Sequence, residues 1–283
     1  MTGLLLSLFI SVAPAYDFLN VEPYYTVPTA TDTGVAAINR NPAGLTAKRS
    51  FLFATKGWIS DAGISTFQFN WNKWGFAVNY YRFGEFEYHG NTPDDNSRSY
   101  FTPYAYELKL GRSFRVDPEM MLGFAIQYFS ETILYSSTHA FYLTSGLLYM
   151  PARFKPLTVG LSVENLGFKT GFSELTYRAP IFANLGVSYS LKGIGLSANV
   201  SKVLSYDRAL SDLKAGDTRL LVRASYSVKD FLRIGGGYEF GNEFSPLLLS
   251  IEARKSFIRV MAGFRPINKG LGTVKTINLE LVL

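Results

Sequence analysis

The sequence predicts an all-β protein, a closed antiparallel transmembrane β-barrel of about fourteen strands that follows a short irregular segment. Three observations lead to this fold class. Apolar and polar residues alternate from Phe51 onward, in segments of about 9–12 residues, the length of a tilted strand that crosses a bilayer. Short connections alternate with longer polar ones. The N-terminus has the pattern of a secretory signal.

Residues 1–15 are predicted to be a signal peptide. The run LLLSLFISV (4–12) is apolar, and Ala13-Pro14-Ala15 supplies small residues for cleavage before Tyr16. No Lys or Arg precedes the run, so the true start of the signal can lie upstream, and a buried strand is the alternative interpretation. No later stretch has the roughly 18 consecutive apolar residues of a transmembrane helix.

Composition excludes several kinds of site. The 283-residue chain has no cysteine, which excludes disulfides, thiolate metal sites and cysteine nucleophiles. Aromatic residues reach 16%, and charged residues reach only 18%, below the usual quarter. The net charge of +6 is not gathered into one run. No nucleic-acid partner is therefore inferred, and at most the charge favours an anionic surface such as a lipopolysaccharide leaflet.

Alternation predicts about fourteen strands. They lie near residues 50–57, 64–71, 73–82, 103–114, 119–130, 139–150, 156–165, 180–190, 194–203, 218–229, 231–240, 246–254, 256–264 and 274–283. Their phase directs these apolar side chains toward lipid: Leu196, Val222, Ile251 and Leu279. A soluble β-sandwich also alternates and is the alternative, but the signal, the strand lengths and the loop asymmetry favour the barrel.

The lengths of the connections predict the topology. The longest loops lie near 83–102, 166–179 and 204–217, with another long connection over 131–138, and outer-membrane barrels keep long loops outside and short turns on the periplasmic side. The predicted organisation is a signal peptide (1–15), an N-terminal segment (16–49) and a barrel (50–283), with no second domain. The expected location is the bacterial outer membrane, with its lipid as a partner.

The stretch GVAAINRNPAGL (34–45) stands ahead of the first predicted strand. Asn before Pro favours a turn, and Gly44 permits a positive φ, so we expect Asn41, Pro42, Ala43 and Gly44 to bend the chain. A generic turn is the plain interpretation. The stretch resembles the NPAGL signature of FadL-like and PorV/PorQ-like outer-membrane barrels. VGLSVENLG (159–167) and GGGYEFGNEFSPLLLSIEAR (235–254) resemble two further signatures of that superfamily.

The resemblance implies both a fold and a function. It implies fourteen strands and a hatch, formed by residues 16–49, that plugs the lumen. The chain departs from many outer-membrane barrels because it ends in LVL rather than in an aromatic residue. The implied function is a channel for uptake or export of hydrophobic small molecules. The alternatives are a PorV/PorQ-like scaffold or shuttle that binds secreted proteins at the cell surface, and a purely structural barrel.

Two sets of residues are candidates for function. Inward-facing charges form either a polar path or a salt-bridge network that stabilises a plugged barrel: Glu164, Arg223, Arg233, Glu252, Arg254, Arg259 and Glu280. In the FadL-like interpretation, apolar loop residues capture the hydrophobic molecule: Phe86, Tyr88, Tyr100, Phe101, Phe168, Phe172 and Tyr177.

An enzyme is not predicted. The two histidines, His89 and His139, lie in a loop and at a strand start, and they support no catalytic triad. No metal-ligand spacing or phosphate-binding loop is present, so no metal or cofactor is expected. Gly235-Gly236-Gly237 has no following helix and is interpreted as a kink in a strand.

Overall fold

The computed structural model describes residues 29–57, 62–88, 99–133, 136–170, 180–205, 216–241, 246–266 and 273–283. Two short 3₁₀ turns, Val35–Asn39 and Pro42–Gly44, precede the strands. The strands are β1 (Ser50–Gly57), β2 (Gly63–Trp71), β3 (Trp74–Arg82), β4 (Phe86–Tyr88), β5 (Ser99–Phe101), β6 (Tyr104–Arg115), β7 (Met120–Ile133), β8 (Ser136–Tyr149), β9 (Leu157–Thr170), β10 (Ile181–Leu191), β11 (Ile194–Ser205), β12 (Thr218–Lys229), β13 (Leu232–Phe240), β14 (Leu247–Lys255), β15 (Ile258–Pro266) and β16 (Thr273–Val282).

Fourteen of the described strands form a closed antiparallel barrel, which confirms the predicted fold class. Sequential strands pair, β3 pairs with β6, and β16 returns to β1 in a ladder from Ser50 opposite Val282 to Gly57 opposite Lys275. Closure matters because lipid offers no hydrogen bonds to an unpaired sheet edge. Strands β4 and β5 pair only with each other, in a separate hairpin.

Apolar side chains cover the outside of the barrel, and polar side chains fill much of the inside. Val222 and Ile251 are 43% and 44% exposed, whereas Glu252 is 7% exposed. These amides are buried in the interior: Gln68, Asn70, Asn79, Asn184, Asn199 and Asn278. A soluble sandwich buries its apolar faces against each other, so that alternative is wrong. A closed barrel with an apolar outer face is suited to a bilayer.

The two ends of the barrel differ in their connections. At the short-turn end, Asn72-Lys73 and Lys192-Gly193 have positive φ at both positions, the geometry of the type I′ turns that suit two-residue hairpins. The longer connections meet at the opposite end, the long-loop end. Among the described residues, no helix is long and apolar enough to cross a bilayer.

Three predicted boundaries at the long-loop end are corrected. The expected loop over 131–138 is shorter, because β7 continues to Ile133 and β8 begins at Ser136. The expected loop over 166–179 starts later, because β9 passes a bulge and reaches Thr170. The hairpin of β4 and β5 occupies part of the loop expected over 83–102. At this end, backbone pairing continues beyond the residues in which apolar and polar side chains alternate. The strand ends were predicted from that alternation and therefore fell short. The predicted signal peptide lies outside the described residues.

Lysine substitutions on the two faces of one strand should differ in effect. Val222→Lys places an ammonium group against the hydrocarbon, at a cost of about 2–4 kcal/mol at the midplane, whereas Ser225→Lys faces the lumen. We expect the folded, heat-modifiable fraction in lipid vesicles, measured by gel mobility, to fall for Val222→Lys and to stay near wild type for Ser225→Lys. The reverse order would contradict the assigned faces.

Candidate functional site

The inner segment, residues 29–49, lies against inward-facing parts of the barrel wall. Its second 3₁₀ turn, Pro42–Gly44, is capped by Asn41, whose Oδ1 accepts a hydrogen bond from the N–H of Ala43 at 3.1 Å. Both residue types suit a helix start, since the cap satisfies a free N–H and proline lacks one. Gly44 does not have the positive φ that the sequence suggested. It is needed because a Cβ there would overlap the carbonyl oxygen of Asp32.

Asn41 also joins the turn to the wall. Its Nδ2 donates to the carbonyl oxygen of Ala30 at 2.5 Å and to that of Leu147 in β8 at 2.9 Å. The Asn41 side chain is fully buried. A buried polar group left without its hydrogen bond costs about 1–3 kcal/mol. One amide therefore holds two parts of the inner segment together and binds them to β8.

Glycines in four strands make room for the inner segment. A Cβ at each would overlap one of its atoms, and we call these positions the glycine notches: Gly75 in β3 (against Leu45), Gly123 in β7 (against Ala43), Gly146 in β8 (against Asn41) and Gly160 in β9 (against Ala30). Backbone and wall approach this closely only where the wall has no side chain. The notches therefore determine where the inner segment can lie.

Charges attach the inner segment at two further points. Arg40 Nε lies 3.2 Å from Glu164 Oε1 in β9, and Asn184 of β10 donates to the same oxygen at 2.5 Å. Three strands farther along the wall, Arg223 Nη2 in β12 lies 3.1 Å from Asp32 Oδ1. Removing one partner of a buried pair leaves an uncompensated charge and is strongly destabilising. The inner segment is thus linked by ion pairs to β9 and β12 as well as seated in the notches.

The other predicted lumen charges are arranged near the short-turn end. Arg259 lies 3.2 Å from Glu252 and 2.8 Å from Glu280, so that one guanidinium serves two carboxylates. Arg233 lines the same part of the lumen with an exposed side chain. Arg254 is exposed at the end of β14. Five of the seven predicted charges thus form ion pairs. Among the described residues, Arg233 and Arg254 form none.

A cavity of about 390 Å³ lies between the inner segment and the wall of β10–β15. Its lining is mixed. Apolar residues such as Val35, Leu52 and Met261 lie beside serines and glycines, and three arginines also line it: Arg223, Arg233 and Arg259. A hydrocarbon that filled this cavity would displace water from the guanidinium groups.

An apolar cluster lies inside the barrel at the long-loop end. It contains Ile64, Tyr81, Ala105, Phe129 and Tyr142, all buried, and the rings of Tyr81 and Phe129 meet edge to face at 6.5 Å between centroids. These aromatic residues were not among the predicted site residues, because an aromatic residue occurs on either face of a barrel strand. The alternation along β8 could have identified Tyr142, since it lies two residues from the inward-facing Thr144 and therefore on the same face.

The ladder between β9 and β10 ends before β9 does. Its last pair joins Glu164 to Phe182, whereas β9 continues to Thr170 paired with β8. The register with β8 shifts here, and Asn165 has a φ of 61°, which together identify a β-bulge. Asn165 Nδ2 donates to the carbonyl oxygen of Pro180 at 3.0 Å. Over residues 165–170, the β9 edge, the strand has one paired neighbour among the described strands.

An apolar groove of about 600 Å³ crosses the outer face and reaches the β9 edge. One side is a row of cross-strand partners: Phe76, Leu110, Ile126, Leu143 and Leu166. The other side consists of Leu108, Tyr128 and Phe141. Gly167 lies at the end of the groove on β9, directly opposite Tyr142 of the apolar cluster.

The predicted capture residues are only partly described. Phe86 and Phe101 face each other across the β4–β5 hairpin with ring centroids 5.8 Å apart, and Tyr100 is 55% exposed. The described part of the chain does not include Phe172 and Tyr177, nor the side chains of Tyr88 and Phe168. The structure therefore brings together one aromatic pair of the seven. In the described ranges, no group of His, Asp and Glu is arranged to hold a metal ion.

The barrel resembles several solved structures. A toluene transporter of Ralstonia pickettii, TbuX, superposes with a TM-score of 0.60 at 12% identity, over 90% of this chain and 94% of that one. TodX, a toluene transporter of Pseudomonas putida, gives 0.57 at 10% identity with the same coverage. A FadL homologue of Pseudomonas aeruginosa gives 0.53 at 12% identity, over 90% and 95%. No protein-family model and no curated protein matches. At these identities the likeness shows a shared fold.

A side chain that fills a notch should displace the inner segment. In Gly146→Val the new side chain meets Asn41, whereas in the control Gly57→Val a Cβ meets nothing within 4 Å. We expect both variants to give a heat-modifiable folded barrel, and only Gly146→Val to show a higher single-channel conductance in planar bilayers. Unchanged conductance in a folded Gly146→Val barrel would contradict the seating of the segment in the notches.

Proposed function

We propose that this chain is a bacterial outer-membrane barrel through which hydrophobic small molecules cross the outer membrane. The carrying observation is the buried apolar cluster inside the long-loop end, beside the β9 edge. The shared fold with TbuX and TodX, both described as toluene transporters, supports the proposal. Residues 16–49 serve as the hatch, with Asn41-Pro42-Ala43-Gly44 as the part that seats it.

The straight route through the lumen is unfavourable for a hydrocarbon. Below the apolar cluster, Glu107 interacts with Lys109 at 3.4 Å and Glu164 with Arg40 at 3.2 Å. The inner segment covers the wall of β3 and β7–β9, and three arginines line the space beside it together with serines and apolar residues. A hydrocarbon on this route would have to pass buried charges and displace their water.

A sideways route avoids the charged lumen. Tyr142 of the apolar cluster and Gly167 of the outer groove are cross-strand partners, so the two apolar surfaces lie on opposite sides of the same part of the wall. The β9 edge passes beside them. A molecule that leaves the cluster over this edge reaches the groove and then the lipid. The long-loop end faces outside in this arrangement, and the Phe86–Phe101 pair is a capture element above the cluster.

A scaffold or purely structural barrel is the second candidate. The mixed-sign pairs of the lumen favour it, because paired charges stabilise a filled interior rather than a conducting one. A scaffold needs neither an apolar cluster beside a break in the ladder nor a groove outside it. Transport of a hydrophobic probe separates the two candidates.

Uptake of 1-N-phenylnaphthylamine by intact cells tests the transport function. The probe becomes fluorescent in an apolar environment, so the rate of fluorescence increase reports its passage through the outer membrane. We expect cells with the wild-type barrel to take up the probe faster than cells without it. Phe129→Asn should lower this rate severalfold, because it places an amide inside the apolar cluster.

Leu248→Asn is the matched control, since Leu248 is also buried and inward-facing but lines the cavity beside the inner segment instead of the cluster. Its rate should equal that of wild type at equal levels of folded barrel. A wild-type rate no greater than that of cells without the barrel would overturn the transport function and favour the scaffold.

A further inference from the structure

Basic side chains are concentrated at the short-turn end. Besides Arg233 and Arg254, which belong to the predicted lumen charges, the described turns and strand ends there carry nine exposed lysines and arginines, the basic rim: Lys48, Arg49, Arg112, Arg115, Arg153, Lys155, Lys192, Lys229 and Lys255. The same stretches carry three acids: Asp117, Glu119 and Asp230. Basic residues that are dispersed in the sequence are thus concentrated at this end of the described barrel.

The acids of this end do not neutralise the rim. Glu119 accepts hydrogen bonds from the Tyr149 hydroxyl at 3.0 Å and from the N–H of Ala152 at 2.9 Å, and Asp117 accepts from the N–H of Glu119 at 2.7 Å. Both carboxylates thus accept hydrogen bonds from groups in or beside the turns at this end. Within the described residues, none of the nine rim cations forms an ion pair.

Two arginines of the rim lie over aromatic rings on the outer wall. Arg49 lies 5.5 Å from the ring centroid of Trp71, and Arg112 lies 4.7 Å from that of Trp74 and 5.0 Å from that of Phe114. Trp71 and Trp74 are 49% and 43% exposed, and tryptophan is enriched where hydrocarbon meets head groups. These two arginines are therefore held against rings of the residue type that is enriched beside lipid head groups.

We propose that the basic rim binds the phosphate groups of an anionic phospholipid leaflet. This inference rests on the proposed outer-membrane location, in which the short-turn end meets the inner, phospholipid leaflet. Charge complementarity identifies the partner as anionic, and lysines and arginines near a membrane surface attract anionic lipids. The placement of Arg49 and Arg112 against the lipid-exposed wall favours lipid over a soluble acidic protein, because the apolar outer face beside them belongs to the bilayer.

Spin-labelled lipids test the proposal. The full barrel is reconstituted in phosphatidylcholine with a trace of nitroxide-labelled phosphatidylglycerol or phosphatidylcholine, and electron paramagnetic resonance measures the motionally restricted, protein-bound fraction of each. We expect a preference for phosphatidylglycerol on the order of threefold, the scale of exposed charge pairs. The preference should decrease at high salt.

The triple variant Arg49→Gln, Arg112→Gln and Lys229→Gln should lose most of the preference. The control Arg82→Gln, Lys202→Gln and Lys275→Gln removes the same charge from exposed positions at the other end and should keep it. Equal binding of both lipids by the wild type, or equal loss in both variants, would overturn the proposal; the first result would leave an acidic protein as the partner. The assay uses no transported molecule, so a failure of the transport function leaves its result unaffected.

Discussion

The buried side chain of Asn41 makes the hydrogen bonds on which the placement of the inner segment depends. The amide is fully buried, and it bonds to the inner segment and to the carbonyl oxygen of Leu147. It can reach that carbonyl only because Gly146 leaves no side chain in the way. Since buried amides are costly to leave unpaired, the inner segment has a preferred place against one side of the lumen, and the space left is on the other side.

Charges and apolar rings occupy different parts of the described interior. The ion pairs of Arg40 and Arg259 lie in the middle and toward the short-turn end, and Arg265 pairs with Glu239 where β15 and β13 reach the long-loop end. Apolar rings occupy the long-loop end on the side of β2, β3 and β6–β8. Among the described strands, the ladder from β9 to β10 ends next to those rings. The bulge lies there at Asn165, whose side chain bonds to the carbonyl oxygen of Pro180. The end of this described ladder and the two apolar surfaces thus lie at the same part of the wall.

Much of the barrel could be predicted from the sequence, because a period of two reports directly which side chains face lipid. Val222 and Glu252 follow that rule. The partners of the charges could not be predicted: Arg40 meets Glu164 only through the seating of the inner segment. The bulge at Asn165 was also invisible, since one extra residue changes the register without changing composition. The role of Gly44 was misjudged, because close approach to Asp32 leaves no mark in local turn statistics.

A cross-link between positions 165 and 180 is the most direct measurement of the sideways route. The chain has no cysteine, so Asn165→Cys with Pro180→Cys gives a unique pair at the β9 edge, joined by a short bifunctional maleimide with a reducible spacer. If molecules leave by the sideways route, cross-linking stops probe uptake, reduction restores it, and either single-cysteine barrel treated with the same reagent remains active. Full uptake by the quantitatively cross-linked barrel would contradict the sideways route.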